Sequence, residues 1–406
     1  MTSTIKFIEN NVCAAKGFSA SGIAAGIKKS KKPDLALIYS QVPATAAGVF
    51  TKNKIKAAPL LLTKKHVNLG KLQAIITNSG NANACTGKLG TQHALQTVKH
   101  LATQLAIDPK LIAVSSTGII GVPLQIETLL NGIPQLSTEL SETGGSAAAK
   151  AILTTDTFIK EVAIQVELSN GVVAHLGGIA KGSGMIHPNM ATMLGYITSD
   201  VAISSNALQQ TLTQVVNNSF NMISVDGDSS TNDMVLVMAN GCANNPLIDD
   251  LNSIDGQIFY NALLTVCTNL AKQIAHDGEG ASKLITVNVA GAKTDKQAKL
   301  VAKSVISSSL VKAAMFGNDA NWGRIACAVG YSNAGIQQNK LQIAIEDLLL
   351  FEKGMPIVFS EEIALELLQK TEVVINIDLG LGSEKSTAWG CDLTYDYVKI
   401  NADYRS

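Results

Sequence analysis

The chain has 406 residues, 46% apolar and 16% charged, with Lys+Arg 32 against Asp+Glu 32 and so no formal net charge. That length suggests two domains, or one large α/β unit with a smaller one, around a well-buried interior. Zero net charge offers no field for nucleic acid or an anionic membrane, and no run of about 18 apolar residues marks a membrane span.

In chain order, residues 72–76 read as an apolar strand that runs into the polar loop NSGNANACTG. The stretch 92–108 reads as a helix with Leu95, Val98, Leu101, Ala102 and Leu105 on one face. A second strand, 111–114, ends in Ser115-Ser116-Thr117-Gly118, and alternation on either side of Asn170-Gly171 predicts a hairpin. Two further helices are expected over 204–220 and 252–278, the second long enough to cross a domain. A second unit follows, with a helix over 298–312, strands over 341–345 and 373–377, and a closing strand over 390–406. The division is placed at 1–282 and 283–406. Helices and strands alternate without a repeating dinucleotide-fold cadence, so the class is α/β or α+β.

Aromatics are scarce at 4%, which leaves Ala, Val, Ile and Leu to pack the core. The cysteines Cys13, Cys85, Cys242, Cys267, Cys327 and Cys391 match no zinc spacing and read as reduced thiols of a cytosolic protein. The N-terminus carries no continuous apolar segment of a secretory signal. Together these readings place the protein in the cytoplasm.

Most catalytic motifs fail. There is no GxxxxGK[ST], HExxH or GxSxG. The run DGDSSTNDM from Asp226 resembles a calcium loop, but Thr231 stands where that loop needs Gly and Val237 where it needs Glu. It reads instead as a turn rich in side-chain hydrogen bonds that lines a site. His187, alone before a proline, reads as a loop residue, and no metal site is expected.

What remains is KGSGMIHPNMATML, in which Thr192 follows a glycine-rich loop and the small Ala191. Threonine is a common strand residue, and local chemistry alone favours that reading. The alternative is a nucleophile. A threonine at a chain terminus has its own α-amine, with a pKa of about 7.7–8.0, as a general base. Cleavage at Ala191–Thr192 would create that terminus through an N-to-O acyl shift and hydrolysis of the ester.

NSGNANACTG, SSTGIIG, TTDTFIK, KGSGMIHPNMATML, DGEGASK, FGNDANWGRI and the C-terminal YVKINADYRS occur here in that order. In these blocks, from Asn78 to the last residue, the chain closely resembles the ornithine acetyltransferase (glutamate N-acetyltransferase) family of arginine biosynthesis. The resemblance implies an α/β (α+β) fold: a self-cleaving sandwich of β-sheets flanked by helices, with a smaller C-terminal α/β domain. It also implies cleavage into an α chain, 1–191, and a β chain, 192–406, paired as a heterotetramer of two of each.

The chemistry implied is transfer of acetyl from N2-acetylornithine to Thr192 and on to glutamate, a ping-pong cycle. Thr117 and Gly118 match the family's oxyanion pair, and Lys181 the lysine that binds substrate. Glu279 matches its acidic residue, placed to meet an ammonium group. Thr155 matches the binding threonine, with Thr154 as the alternative. Asn401 and Ser406 match the C-terminal site positions, Ser406 standing where many members carry Thr. No cofactor is implied. Acetyl-CoA is expected as a second acetyl donor, the monofunctional enzyme without it being the alternative. Two rivals stand beside this reading: an aminopeptidase or amidohydrolase of the same self-cleaving fold, and an uncleaved small-molecule-binding protein.

Overall fold

The hairpin expected at Asn170-Gly171 joins strands Lys160–Glu167 and Val173–Lys181 in the computed structural model, which describes residues 5–187 and 193–403. These strands lie in a sheet ordered, by chain segment, Lys6–Ile8, Lys160–Glu167, Val173–Lys181, Leu194–Ser199, Met234–Ala239, Leu35–Phe50, Lys71–Asn81 and Ile112–Ile119. Strand Phe18–Ile23 pairs with the long Leu35–Phe50 strand. Most pairings are antiparallel, but Met234–Ala239 runs parallel to Leu194–Ser199, and Lys71–Asn81 to Ile112–Ile119. The segment Met234–Ala239 (MVLVMA) is buried on both faces: Val235 and Val237 join one core, Met234, Leu236 and Met238 another. An uninterrupted apolar run of this kind belongs in the centre of a covered sheet.

The second sheet is ordered Met355–Pro356, Leu348–Glu352, Gln342–Ile345, Glu372–Asp378, Leu284–Ala292, Glu384–Cys391 and Ile223–Ser224. The expected strands 341–345 and 373–377 are there. Helix Ile254–His276 contacts strands of both sheets, and Ser205–Asn218 packs beside it. Each starts at a serine, Ser204 or Ser253, whose side chain accepts from a backbone N–H in the first turn. The fold is thus mixed α/β, two sheets flanked by helices, with a helical layer between them. Among the described residues no helix is long and apolar enough to cross a membrane.

Three expectations need correction. The helix over 298–312 is two, Asp295–Ile306 and Ser309–Phe316, because the Ser308 side chain caps a new helix by accepting from the Val311 N–H. On helix Gly87–Leu105, Val98, Leu101 and Ala102 are buried as expected, but Leu95 is exposed and Ala94 is the buried residue of that turn. The closing strand ends at Cys391, and Tyr395–Asp403 is a helix. Thr394 starts that helix: its hydroxyl donates to Gly280 O and accepts from the Tyr397 N–H.

Candidate active site

Strands Lys71–Asn81 and Ile112–Ile119 run beyond their apolar halves into Asn78-Ser79-Gly80 and Ser115-Ser116-Thr117-Gly118, with Gly80 opposite Gly118. Gly118 has φ +127° and Gly80 φ +97°, and a Cβ on Gly118 would lie 2.5 Å from the Gly80 carbonyl carbon. Glycine alone tolerates that conformation and that approach. Asparagine side chains complete the local hydrogen bonding. Asn78 Nδ2 donates to Asn81 O at 2.9 Å, and Asn232 Nδ2 donates to Ala82 O at 2.6 Å and Ser116 O at 2.7 Å. The polar run after the apolar strand is therefore a rigid ladder end.

Lys181 ends strand Val173–Lys181, opposite Leu194. It is buried, and its Nζ donates to Thr154 Oγ1 at 2.7 Å and lies 3.8 Å from Asp156 Oδ2. Asp156 also accepts from Lys160 Nζ at 2.8 Å and from the Gly182 N–H at 2.7 Å. Burial acts to raise the pKa of Asp156. The ammonium groups of Lys181 and Lys160, with hydrogen bonds from Lys160 and Thr154, outweigh it and hold the carboxyl well below the usual carboxylate range. Lys160 in turn donates to Asp277 Oδ2 at 2.5 Å. A buried chain of alternating charge thus fixes the start of the loop that follows Lys181.

Glu279 lies just beyond helix Ile254–His276. Its backbone N–H donates to Ser183 O at 3.1 Å, and its Oε2 accepts from Asn401 Nδ2 at 2.8 Å. A Cβ on Gly184 would come within 2.3 Å of the Glu279 carboxyl carbon, so only glycine leaves that carboxylate its place. The Asp226 carboxylate accepts from the N–H groups of Met185 and Ile186 at 2.6 and 2.8 Å, which makes the DGDSSTNDM turn the anchor of the Lys181 loop.

These segments enclose one cavity of about 220 Å³. Thr117, Gly118, Thr154, Thr155, Lys181, Glu279 and Asn401, all named from sequence, line it together. Thr154 and Thr155 both reach it, and the hydroxyl bonded to Lys181 is that of Thr154. Met193 also lines the cavity, whereas Ala191, Thr192 and Ser406 lie outside the described residues. Among the described residues no three His, Cys, Asp or Glu side chains are grouped to hold a metal ion. A wall that presents an ammonium, a carboxylate, hydroxyls and amides suits a small zwitterion.

Three polar residues of the wall, Ser230, Asn232 and Asp233, were expected only collectively, as a turn beside a site. Asp233 is 3% exposed, and its Oδ2 has no hydrogen-bond partner among the described residues. Burial pushes its pKa well above the carboxylate range, against the Ser230 hydroxyl, the charge of Lys181 and the backbone N–H groups of Ser230 and Met193. Asp156 was missed as well. Its signal was an acid in TTDTFIK, four residues before a lysine that the fold buries.

The sequence model of the ArgJ family matches residues 19–406. The chain belongs to the ArgJ family. It is 50% identical to the arginine biosynthesis bifunctional protein ArgJ of Symbiobacterium thermophilum, over 99% of this chain and 100% of that one. It is also 50% identical to the protein of that name from Oceanobacillus iheyensis, over the whole of both chains. Among solved structures, it matches the crystal structure of arginine biosynthesis bifunctional protein ArgJ from Bacillus halodurans with 50% identity and a TM-score of 0.51. That match covers 52% of this chain and 100% of the other. As an ArgJ-family member the protein is an acyltransferase that performs N-acetyl transfer in arginine biosynthesis.

Proposed function

We propose that the cavity carries acetyl from N2-acetylornithine to glutamate through an acetyl ester on Thr192, after cleavage of Ala191–Thr192 into chains 1–191 and 192–406. The observation that carries this reading is the meeting of Thr117, Gly118, Thr155, Lys181, Glu279 and Asn401, from five separate segments, around one cavity with Met193 in its wall. The new α-amine of Thr192 takes the hydroxyl proton as Oγ attacks the acetyl carbonyl, and gives it to the departing ornithine amine. The Thr117 hydroxyl and Gly118 N–H hold the oxyanion. Lys181 receives the substrate carboxylate and Glu279 its α-ammonium, with Thr155, Asn401 and Ser406 completing the contacts. Glutamate then enters the same pocket and takes the acetyl group.

The half-length match to the Bacillus halodurans chain supports two-chain processing, since residues 192–406 make up a little over half of this sequence. We further propose pairing into a heterotetramer, a division at 1–282 and 283–406, and acetyl-CoA as a second donor. Denaturing electrophoresis and an acetyl-transfer assay test the core of this reading. Wild-type protein should give two bands of similar size and Thr192→Ala a single inactive one near 42.5 kDa. Cleavage that survives Thr192→Ala would refute the nucleophile. Acetylation of glutamate from acetyl-CoA by the purified enzyme decides the second donor.

A further inference from the structure

The acyl shift that opens Ala191–Thr192 must deliver a proton to the Thr192 nitrogen, because an amide nitrogen leaves as an amine and never as a bare anion. The groups of the acetyl-transfer cycle are not free to do this. The α-amine that serves the later cycle is still locked in the peptide bond, and Lys181 and Glu279 have ion-pairing roles toward substrate.

Asp233 is in the right place. Strand Met234–Ala239 pairs with Leu194–Ser199 in parallel register, Met234 opposite Leu194, and the Met234 N–H donates to Met193 O at 3.1 Å. Asp233 therefore stands beside Met193, whose backbone N–H faces its carboxyl. That N–H belongs to the peptide bond that follows Thr192. Asp233 thus stands beside the residue that directly follows Thr192 in the chain. The side chain lines the cavity, is 3% exposed, and has an Oδ2 without a partner among the described residues. Buried polar atoms are rarely left unpaired, and those that are call for a reason.

We propose that Asp233 is the proton donor to the Thr192 nitrogen during self-cleavage. The inference rests on the self-cleavage reading. Thr192 Oγ adds to the Ala191 carbonyl carbon, forming the C–O bond, and its hydroxyl proton passes to water. As the C–N bond breaks, the Oδ2 proton of Asp233 moves to nitrogen, which leaves as a neutral amine. Water returns a proton to the Asp233 carboxylate and a second water hydrolyses the ester, so the residue ends as it began. Burial favours the protonated carboxyl, against the pull of the groups that face it: Ser230, the Met193 N–H and the charge of Lys181.

The test follows cleavage of freshly synthesised chain, made in a cell-free system, by denaturing electrophoresis from mildly acidic to alkaline pH. Wild type, Asp233→Asn, Asp233→Glu and Thr192→Ala are compared. Asparagine keeps the shape and hydrogen bonding of the neutral acid but cannot give up a proton. Asp233→Asn should therefore fold, as judged by its thermal transition, and cleave roughly 10²–10⁴-fold more slowly. Asp233→Glu should recover part of the rate. The wild-type rate should fall on the alkaline side as the acid ionises. Cleavage of Asp233→Asn at the wild-type rate overturns the proposal, as does a wild-type rate with no alkaline fall, which needs no variant to fold. A wild-type chain that stays whole at every pH refutes self-cleavage itself, and so separates the two failures.

Discussion

Asn401, on the C-terminal helix, donates its side-chain amide to Glu279 Oε2 at 2.8 Å, across 122 positions of sequence. The bond leaves the second carboxylate oxygen of Glu279 for a cationic partner and ties the helix Tyr395–Asp403 to the cavity wall. Hydrogen bonds to charged groups contribute about 1.5–3 kcal/mol, so Glu279→Gln should lower kcat/KM for acetylornithine by roughly 10- to 100-fold. Asn401→Ala should raise KM by less, since it frees the carboxylate without removing it. Steady-state kinetics check both, and an unchanged KM in Glu279→Gln would take the ammonium contact away from that residue.

How much of this was legible beforehand depended on what each signal encoded. Apolar periodicity located the Asn170-Gly171 hairpin and the two long helices, because each contains its own pattern and its own caps. The C-terminal segment misled because YDYVKI alternates like a strand. What makes it a helix is the Thr394 cap, whose hydroxyl is held by Gly280, more than a hundred residues away. Thr117, Lys181 and Glu279 were found through motifs, whereas Asp156 and Asp233 were not. Nothing local distinguishes an exposed aspartate from one that the fold buries beside lysines or leaves unpartnered in a cavity.

Thr117 and Gly118 make a joint prediction. Thr117→Val keeps volume and branching but removes the hydroxyl, and should cost roughly 10²–10³ in kcat with little change in KM. Gly118→Ala should fail for a different reason. Its Cβ would meet Gly80 at 2.5 Å and its φ of +127° would be strained, so both thermal stability and activity should fall. A Thr117→Val enzyme with wild-type kcat would remove that hydroxyl from the oxyanion role.

Lys160 is buried between the carboxylates of Asp156 and Asp277, all three almost wholly excluded from water. Lys160→Met preserves packing but leaves two buried anions without their shared cation. Breaking such a pair costs about 3–5 kcal/mol, which urea denaturation will measure. A variant within about 1 kcal/mol of wild type, inside the range of an exposed pair, would mean that the carboxylates are solvated after all.

His187 gives the last prediction, a pH dependence. Its Nδ1 lies 3.0 Å from Ser224 Oγ and 3.4 Å from Ser307 Oγ. Burial, reinforced by the ammonium of Lys303 and partly offset by Asp228, pushes its pKa down to about 4 from an ordinary 6.5. The folded chain thus holds His187 neutral in a range where the unfolded chain protonates it, so the unfolded state binds more protons and acid favours it. The stability that this contributes is intact above pH 6.5, falls as pH drops through the interval, and is fully lost below about 4. His93, which burial also pushes below its ordinary pKa, adds to the same slope. Urea midpoints of wild type and His187→Gln compared between neutral pH and about 4 should show a shallower decline in the variant. An identical slope would mean that His187 titrates alike in the folded and unfolded chains, and that its imidazole is open to water.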